Sequence, residues 1–276
     1  MIIHFTKLSA TGNDFILIDN REKAFSGNEV ALFHQLCQRR TGIGADGILL
    51  IEKNPSRDFT MRYFNADGCE SEMCGNGARA TAYYAFQRHL APQTMDFDVS
   101  QELYRAVITG KSARLRMRKP FDLNLTPKVL DESVRQAHDK PGMIEGGFVN
   151  TGVPHYVIFV DDVDHLDVIE LGKKYRYHHF FATTGTNVNF VKIAGASHLQ
   201  MRTYERGVED ETLACGTGTV ASAVIAHLQK KMKFPIAVTT RGGELMVYGD
   251  PSLENIELEG EVREVFTGQF VVENLD

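Results

Sequence analysis

The chain has 276 residues, enough for one large domain or two of ordinary size. A content of 43% hydrophobic and 24% charged residues is globular rather than disordered or fibrous. Thirty Lys and Arg against 36 Asp and Glu leave a net charge of −6, the wrong sign for a surface that binds nucleic-acid phosphates. No apolar run reaches the roughly 18 residues of a membrane span. The opening Met1-Ile-Ile-His-Phe-Thr-Lys7 has no basic stretch leading into a long apolar one, so a cytoplasmic protein is expected.

Alternating segments at residues 15–19, 48–52, 60–64 and 113–118 predict strands. A helix is expected near residues 29–39, on the outside. A second helix runs from about Gly75 to His89 and stops before Ala91-Pro92, with Ala78, Ala80, Ala82 and Ala85 as a small, closely buried face. Residues 119–139 read as a crossover. Beyond it, strands are expected at 156–160, 187–191, 199–204, 236–240 and 244–248. A helix from about Gly216 to Lys231 carries Ala221, Ala223 and Ala226. Both central helices end in cations (Arg88 and His89; Lys230 and Lys231), which suits a helix C-terminus.

These two series are one unit written twice, at an offset of about 140 residues. Cys74-Gly-Asn-Gly-Ala-Arg-Ala-Thr-Ala lies against Cys215-Gly-Thr-Gly-Thr-Val-Ala-Ser-Ala, and Glu70 lies against Glu211. Met61-Arg-Tyr-Phe-Asn65 falls on Met201-Arg-Thr-Tyr-Glu205, Gly44-Ala-Asp46 on Gly185-Thr-Asn187, and Thr11-Gly12 on Thr151-Gly152. The expected fold is α+β, with two pseudo-symmetric lobes. Each is a curved, mainly antiparallel sheet or barrel wrapped round a central helix, and the active site is expected in the cleft between them. Residues 1–118 with 262–276 form the lobe carrying Cys74, and residues 119–261 the lobe carrying Cys215.

Gly42-Ile-Gly-Ala-Asp-Gly47 matches G-x-G-x-x-G, yet a helix precedes it and a strand follows. That is the reverse of a dinucleotide site, so the segment reads as a glycine-rich turn. The four cysteines form no metal set, because Cys69-x4-Cys74 has no further ligand nearby. Cys37 and Cys69 have no repeat partner and read as structural or incidental.

Cys74 and Cys215 each open a helix, where N–H groups and the macrodipole favour a thiolate. The following glycines (Gly75 and Gly77; Gly216 and Gly218) leave those N–H groups open to an anion. Two such half-sites facing one α-carbon suit stereochemical inversion by two bases. One thiolate removes the α-proton, and the opposite thiol returns one. The helix dipoles meet charge developing on the carboxylate. Glu205 is placed to accept a proton from Cys215, and His155 from Cys74. Asn65 and Asn13 stand where the other copy has Glu205 and Val153.

Met73-Cys-Gly-Asn-Gly-Ala-Arg79 resembles the signature of the diaminopimelate epimerase family. Gly12-Asn-Asp-Phe15, Gly42-Ile-Gly-Ala-Asp46, Phe64-Asn-Ala-Asp-Gly68, Tyr204-Glu-Arg-Gly207 and Ala214-Cys-Gly-Thr-Gly218 follow in the family's order. The resemblance covers nearly the whole chain. It implies epimerisation of LL- to meso-2,6-diaminopimelate, on the route to lysine and peptidoglycan precursors, without pyridoxal phosphate or metal. It matches Cys74 and Cys215 to the two bases, with His155 and Glu205 as their partners. Gly75, Asn76, Gly216 and Thr217 match the backbone cradle of the reacting carboxylate. Asn65, Asn187 and Arg206 match the holders of the distal amino-acid end, and Asn13 a further substrate contact. It also implies a last strand near residues 266–273 returning to the first lobe.

Two departures bear on substrate choice. Val153-Pro154-His155 replaces the family's usual Asn-Pro-His, and residues 207–212 are one residue longer and more acidic than usual. A racemase of another amino acid therefore stays open, as does a thiol binding module in which Cys74 and Cys215 pair on oxidation. The expected partner is a small-molecule amino-acid substrate, diaminopimelate, with a homodimer left open and neither nucleic acid nor membrane.

Overall fold

The computed structural model describes residues 1–71, 73–126, 146–181 and 184–272. The chain forms two compact units, residues 1–116 with 260–276 and residues 117–259. Among the described residues no helix is long and apolar enough to cross a membrane.

Unit 1 holds β1 (Ile2–Ala10), β2 (Asn13–Asp19), α1 (Val30–Cys37), β3 (Gly47–Glu52), β4 (Phe59–Asn65), the short β5 (Glu70–Ser71), α2 (Gly75–Gln87), β6 (Thr94–Val99), β7 (Glu102–Thr109) and β8 (Ser112–Arg116). The chain's last strand, β17 (Glu257–Val271), pairs antiparallel with β1 from Val262 to Val271. Its pairing with β8 closes the ring β1-β2-β3-β4-β6-β7-β8-β17. Most pairs are antiparallel, with β2–β3 and β4–β6 parallel. The expected last strand thus begins earlier than position 266, and Glu273 lies outside the described residues.

Helix α2 packs against β1, β2, β3, β4, β7 and β8. Its buried face is Ala78, Ala80, Ala82 and Ala85, all fully enclosed. Small side chains let six strands approach one helix, since bulkier ones would hold them off. On the opposite face of the strands, α1 covers Ile16, Ile18, Ile48, Leu50 and Phe64 with Leu32, Phe33 and Leu36. Period-two alternation assigns the two faces: Ile16, Ile48 and Phe64 look toward α1, and Phe15, Leu49 and Tyr63 look away from it.

Unit 2 repeats the plan. It holds β9 (Phe121–Asn124), β10 (Gly146–Asn150), β11 (Pro154–Phe159), α3 (Val168–Arg176), β12 (Asn187–Gly195), β13 (His198–Glu205), β14 (Asp210–Thr212), α4 (Gly216–Lys230), β15 (Ile236–Thr240) and β16 (Gly243–Tyr248). The parallel pairs recur at β11–β12 and β13–β15. Helix α4 packs against β10, β11, β12, β13, β15 and β16, with Val220, Val224 and Ile225 in the apolar core. Most of the expected crossover, residues 127–139, lies outside the described residues.

Alternation again divides each strand. Tyr156, Ile158, Val188, Phe190 and Tyr204 pack with Val168 and Tyr175 of α3. Val157, Val191, Leu199 and Met201 pack round α4. The same parity sends His155, Asn189 and Thr203 toward α4. Strand register also adjusts the repeat, because Phe15 pairs with Gly47 and His155 with Asn187. Asn187 is thus the structural counterpart of Gly47, one position on from the sequence match to Asp46.

Beyond the expected strands, the structure has β1, β5, β6, β7, β9, β10 and β14, and helix α3. Strand β8 ends at Arg116, two residues before the expected end.

Candidate active site

Cys74 is the N-cap of α2, in extended backbone (φ −133°, ψ 114°), and its sulfur accepts from the Gly77 N–H at 3.4 Å. Cys215 caps α4 in the same conformation (φ −124°, ψ 111°), with its sulfur 3.4 Å from the Thr217 hydroxyl. Cys74 is half-buried and Cys215 buried. Each helix N-terminus therefore presents a sulfur beside its first unpaired N–H groups.

In unit 1 three sequence motifs converge on the first turn of α2. Asn76 is buried, so it contributes to any cradle through its backbone. Its side-chain Nδ2 donates to Asn13 Oδ1 at 2.7 Å and to the Thr11 carbonyl at 3.5 Å. Asn13 Nδ2 donates to Asp46 Oδ2 at 2.9 Å, and the other Asp46 oxygen accepts from Arg39 at 2.6 Å. Asp14 lies beside Lys7 (2.7 Å) and Arg39 (2.8 Å). Burial pushes the Asp14 carboxyl up, but these two cations outweigh it and hold it at about 2. Gly42–Gly47 is thus the loop that brings Asp46 to β2, with Lys7 Nζ also bonded to the Gly44 carbonyl. Asn65 ends β4, its N–H donating to the Cys69 carbonyl at 2.9 Å. Cys37 is part of the core under α1, where burial raises its thiol to about 11; Cys69 is exposed.

In unit 2 the polar group lies on the strands. Asn189 Nδ2 donates to the Tyr156 carbonyl (3.4 Å), which fixes its amide orientation. The same Nδ2 lies 3.0 Å from His155 Nδ1, which must therefore accept. The proton is then on Nε2, which donates to Thr217 Oγ1 at 2.9 Å. Asn189 Oδ1 takes the Thr203 hydroxyl at 3.0 Å. Both ring nitrogens of His155 are engaged within unit 2. Complete burial, helped by the positive charge of Arg206, lowers its pKa to about 3, so it is neutral at ordinary pH. Thr217 is held twice, since Thr151 Oγ1 also donates to its carbonyl at 2.9 Å.

Glu205 ends β13 beside β14, whose last residue Thr212 lies just before Cys215 in the chain. Burial pushes the Glu205 carboxyl up, and the Thr212 hydroxyl pulls the other way. Asn187 Nδ2 donates to the Pro154 carbonyl (2.9 Å), and its Oδ1 takes the Arg206 N–H (2.8 Å). Gly75 and Gly216 are the first residues of their helices.

Sequence reasoning assigned no role to Asn189, Thr203 or Arg79. Asn189 could have been found from Asn187-x-Asn189 on one face of an otherwise apolar strand. Arg79 stood inside the quoted signature as a cation among alanines.

A family model described as diaminopimelate epimerase matches residues 5–116 and 147–263. Among curated relatives, the diaminopimelate epimerase of Hydrogenobaculum sp. is 40% identical, over 97% of this chain and 98% of its own. That of Aquifex aeolicus is 37% identical over 99% and 100%. Among solved structures, a phenazine biosynthesis protein of the PhzF family from Bacillus anthracis aligns with a TM-score of 0.77 at 15% identity, covering 99% of this chain and 100% of that one. A hydroxyproline epimerase from Agrobacterium vitis aligns at 0.67 and 13%, covering 99% and 94%. At these identities the structural matches speak for the fold.

Proposed function

Since the chain belongs to the diaminopimelate epimerase family, we infer that it is an isomerase converting LL-2,6-diaminopimelate to the meso form, and that Cys74 and Cys215 are its two bases. One thiolate takes the α-proton and becomes a thiol. The C–H electron pair delocalises into the carboxylate. The other thiol gives its proton to the opposite face of the same carbon and is left as thiolate. Backbone N–H groups of Gly75, Asn76, Gly216 and Thr217 meet the carboxylate as its charge grows, and the helix dipoles act where the transition state needs them.

The observation carrying this reading is one half-site built twice, a cysteine N-cap followed by Gly-x-Gly on the central helix of each unit. Glu205, whose buried carboxyl binds a proton more readily than usual, serves Cys215. The pairing of His155 with Cys74 requires the imidazole to release Thr217 or Asn189. Asn65 and Arg206 hold the distal amino-acid end, while Asn187, its amide already engaged, acts by fixing the Arg206 backbone. Asn13 contributes from the network that ends on Asp46.

In deuterated water the product should carry deuterium at one α-carbon only. Cys74→Ser and Cys215→Ser should each lower epimerisation by orders of magnitude in a folded protein. Unlabelled product, or near-full rates in both variants, would remove the two-thiol scheme. A panel of amino acids tested for α-proton exchange decides whether Val153 broadens substrate choice.

A further inference from the structure

Three polar side chains sit on neighbouring strands against the first turn of α4: His155 of β11, Asn189 of β12 and Thr203 of β13. All three are buried, and a Cβ added to Gly218 would run into both Asn189 and His155. Buried polar groups are costly unless their hydrogen bonds are made. The fold itself does not ask for them, because the equivalent positions of unit 1 hold Phe15, Leu49 and Tyr63.

Their bonds run in one direction. Thr203 gives its hydroxyl proton to Asn189 Oδ1 at 3.0 Å, and Asn189 Nδ2 donates to His155 Nδ1 at 3.0 Å. A neutral imidazole that accepts at Nδ1 carries its proton on Nε2. It therefore donates to Thr217 Oγ1 at 2.9 Å, which leaves the Thr217 hydroxyl proton for another acceptor. The Cys215 sulfur lies 3.4 Å from that oxygen. A thiolate only accepts, so the hydroxyl is the donor whenever Cys215 is ionised. The opposite tautomer would reverse the chain: Thr217 would give its proton to Nε2 and could only accept from Cys215, which favours the thiol. Bonds in series polarise one another, so the direction set at Asn189 carries to the sulfur.

Among the described residues of the strands packed against α4, His155 and Glu205 are the ionisable side chains whose strand parity points toward the helix. Glu211 of the adjoining β14 is held by Arg202 at 2.7 Å and Arg241 at 3.0 Å, and the charge of Arg206 acts on His155.

We propose that Asn189 is a positioning residue that fixes the His155 tautomer, so that the Thr217 hydroxyl donates to the Cys215 sulfur and supports its thiolate. This rests on the two-thiol reading for the role of that sulfur, and deepens it by giving the Thr217 side chain a function besides that of its backbone N–H.

The test uses the intact protein without substrate, so its outcome is separate from the two-thiol scheme itself, which solvent deuterium decides. Nitrogen NMR of the imidazole, assigned with His155→Gln, should show Nε2 protonated and Nδ1 bare at neutral pH. Carbon NMR of labelled cysteine Cβ, assigned with Cys215→Ser, gives the ionisation midpoint of Cys215. Thr217→Val, matched in shape, should raise that midpoint by about one pH unit, and Thr217→Ser should leave it near the wild-type value. Asn189→Leu should mix the two tautomers and raise the same midpoint. The Cys74 midpoint should stay in place in all three variants. A proton on Nδ1 in the wild type overturns the proposal. So does an unmoved Cys215 midpoint in Thr217→Val or in folded Asn189→Leu, or an equal rise at both cysteines, which would mark a general loosening. Should Asn189→Leu fail to fold, the wild-type tautomer and the two Thr217 variants decide the matter.

Discussion

Gly218→Ala separates two explanations of the second glycine in each Gly-x-Gly. The sequence suggests that Gly218 keeps helix N–H groups open to an anion. In the structure an added Cβ would lie 2.4 Å from Asn189 Oδ1 and 3.3 Å from His155 Cε1. Restoring ordinary contact requires the amide to retreat by about 1 Å, and its 3.0 Å bonds to His155 and Thr203 cannot follow that far. Two buried hydrogen bonds disturbed at about 1–2 kcal/mol each, with the overpacking itself, give about 3–5 kcal/mol of destabilisation. Ala gains at most about 1 kcal/mol over Gly in a helix. The net loss is about 2–4 kcal/mol, which for a protein of this size lowers the melting temperature by roughly 3–7 °C. Thermal unfolding by circular dichroism reads it directly. A variant that melts at or above the wild-type temperature would show that Gly218 is not there for close approach to Asn189, and the polar platform under α4 would lose its steric argument.

Gly75→Ala should do the opposite. A Cβ there meets nothing within 4 Å, so stability should rise by about 0.5–1 kcal/mol while turnover falls, because the methyl enters the space left for the carboxylate; unchanged turnover would refute the cradle. Glu205→Gln should be more stable than wild type at neutral pH and nearly inactive. A carboxyl whose pKa is raised in the fold loses stability as pH climbs from its ordinary 4.5 through the raised value, and the amide has no such slope; urea unfolding at several pH values checks this. His155 gives the converse acid limb. Its pKa falls from 6.5 to about 3 in the fold, so the unfolded chain binds the extra proton between those values. Stability should drop on acidification through that window by up to about 1.4 kcal/mol per pH unit, and His155→Gln should flatten the slope.

The doubled plan was legible because its markers are local. Cys-Gly-x-Gly at a helix start and the alanine faces of Ala78–Ala85 and Ala221–Ala226 survive duplication with little drift. So do the β-branched strands, whose period of two is visible without partners. Strands β1, β6 and β7 were harder. Ile2–Ala10 mixes His4, Thr6, Lys7 and Ser9 into its apolar positions because it is paired on both sides by β2 and β17, and that pairing is a tertiary fact. The site was legible at its sulfurs and much less so at its supports. Asn189 and Thr203 meet His155 only when β11, β12 and β13 lie side by side with that face toward α4. Asp46 reaches Asn13 only through the loop that the glycines of 42–47 shape. No spacing in one dimension encodes those juxtapositions.

The supports also differ between the copies. At equivalent strand positions unit 1 has Phe15, Leu49 and Tyr63, where unit 2 has His155, Asn189 and Thr203. On the helices the substitution runs the other way, Arg79 against Val220. Polarity has moved from helix to strands while each half keeps its cysteine cap. In unit 2 the His155 ring reaches the first turn of α4 through the Thr217 hydroxyl, which lies 3.4 Å from the Cys215 sulfur, while in unit 1 Arg79 reaches the first turn of α2 through Asn76.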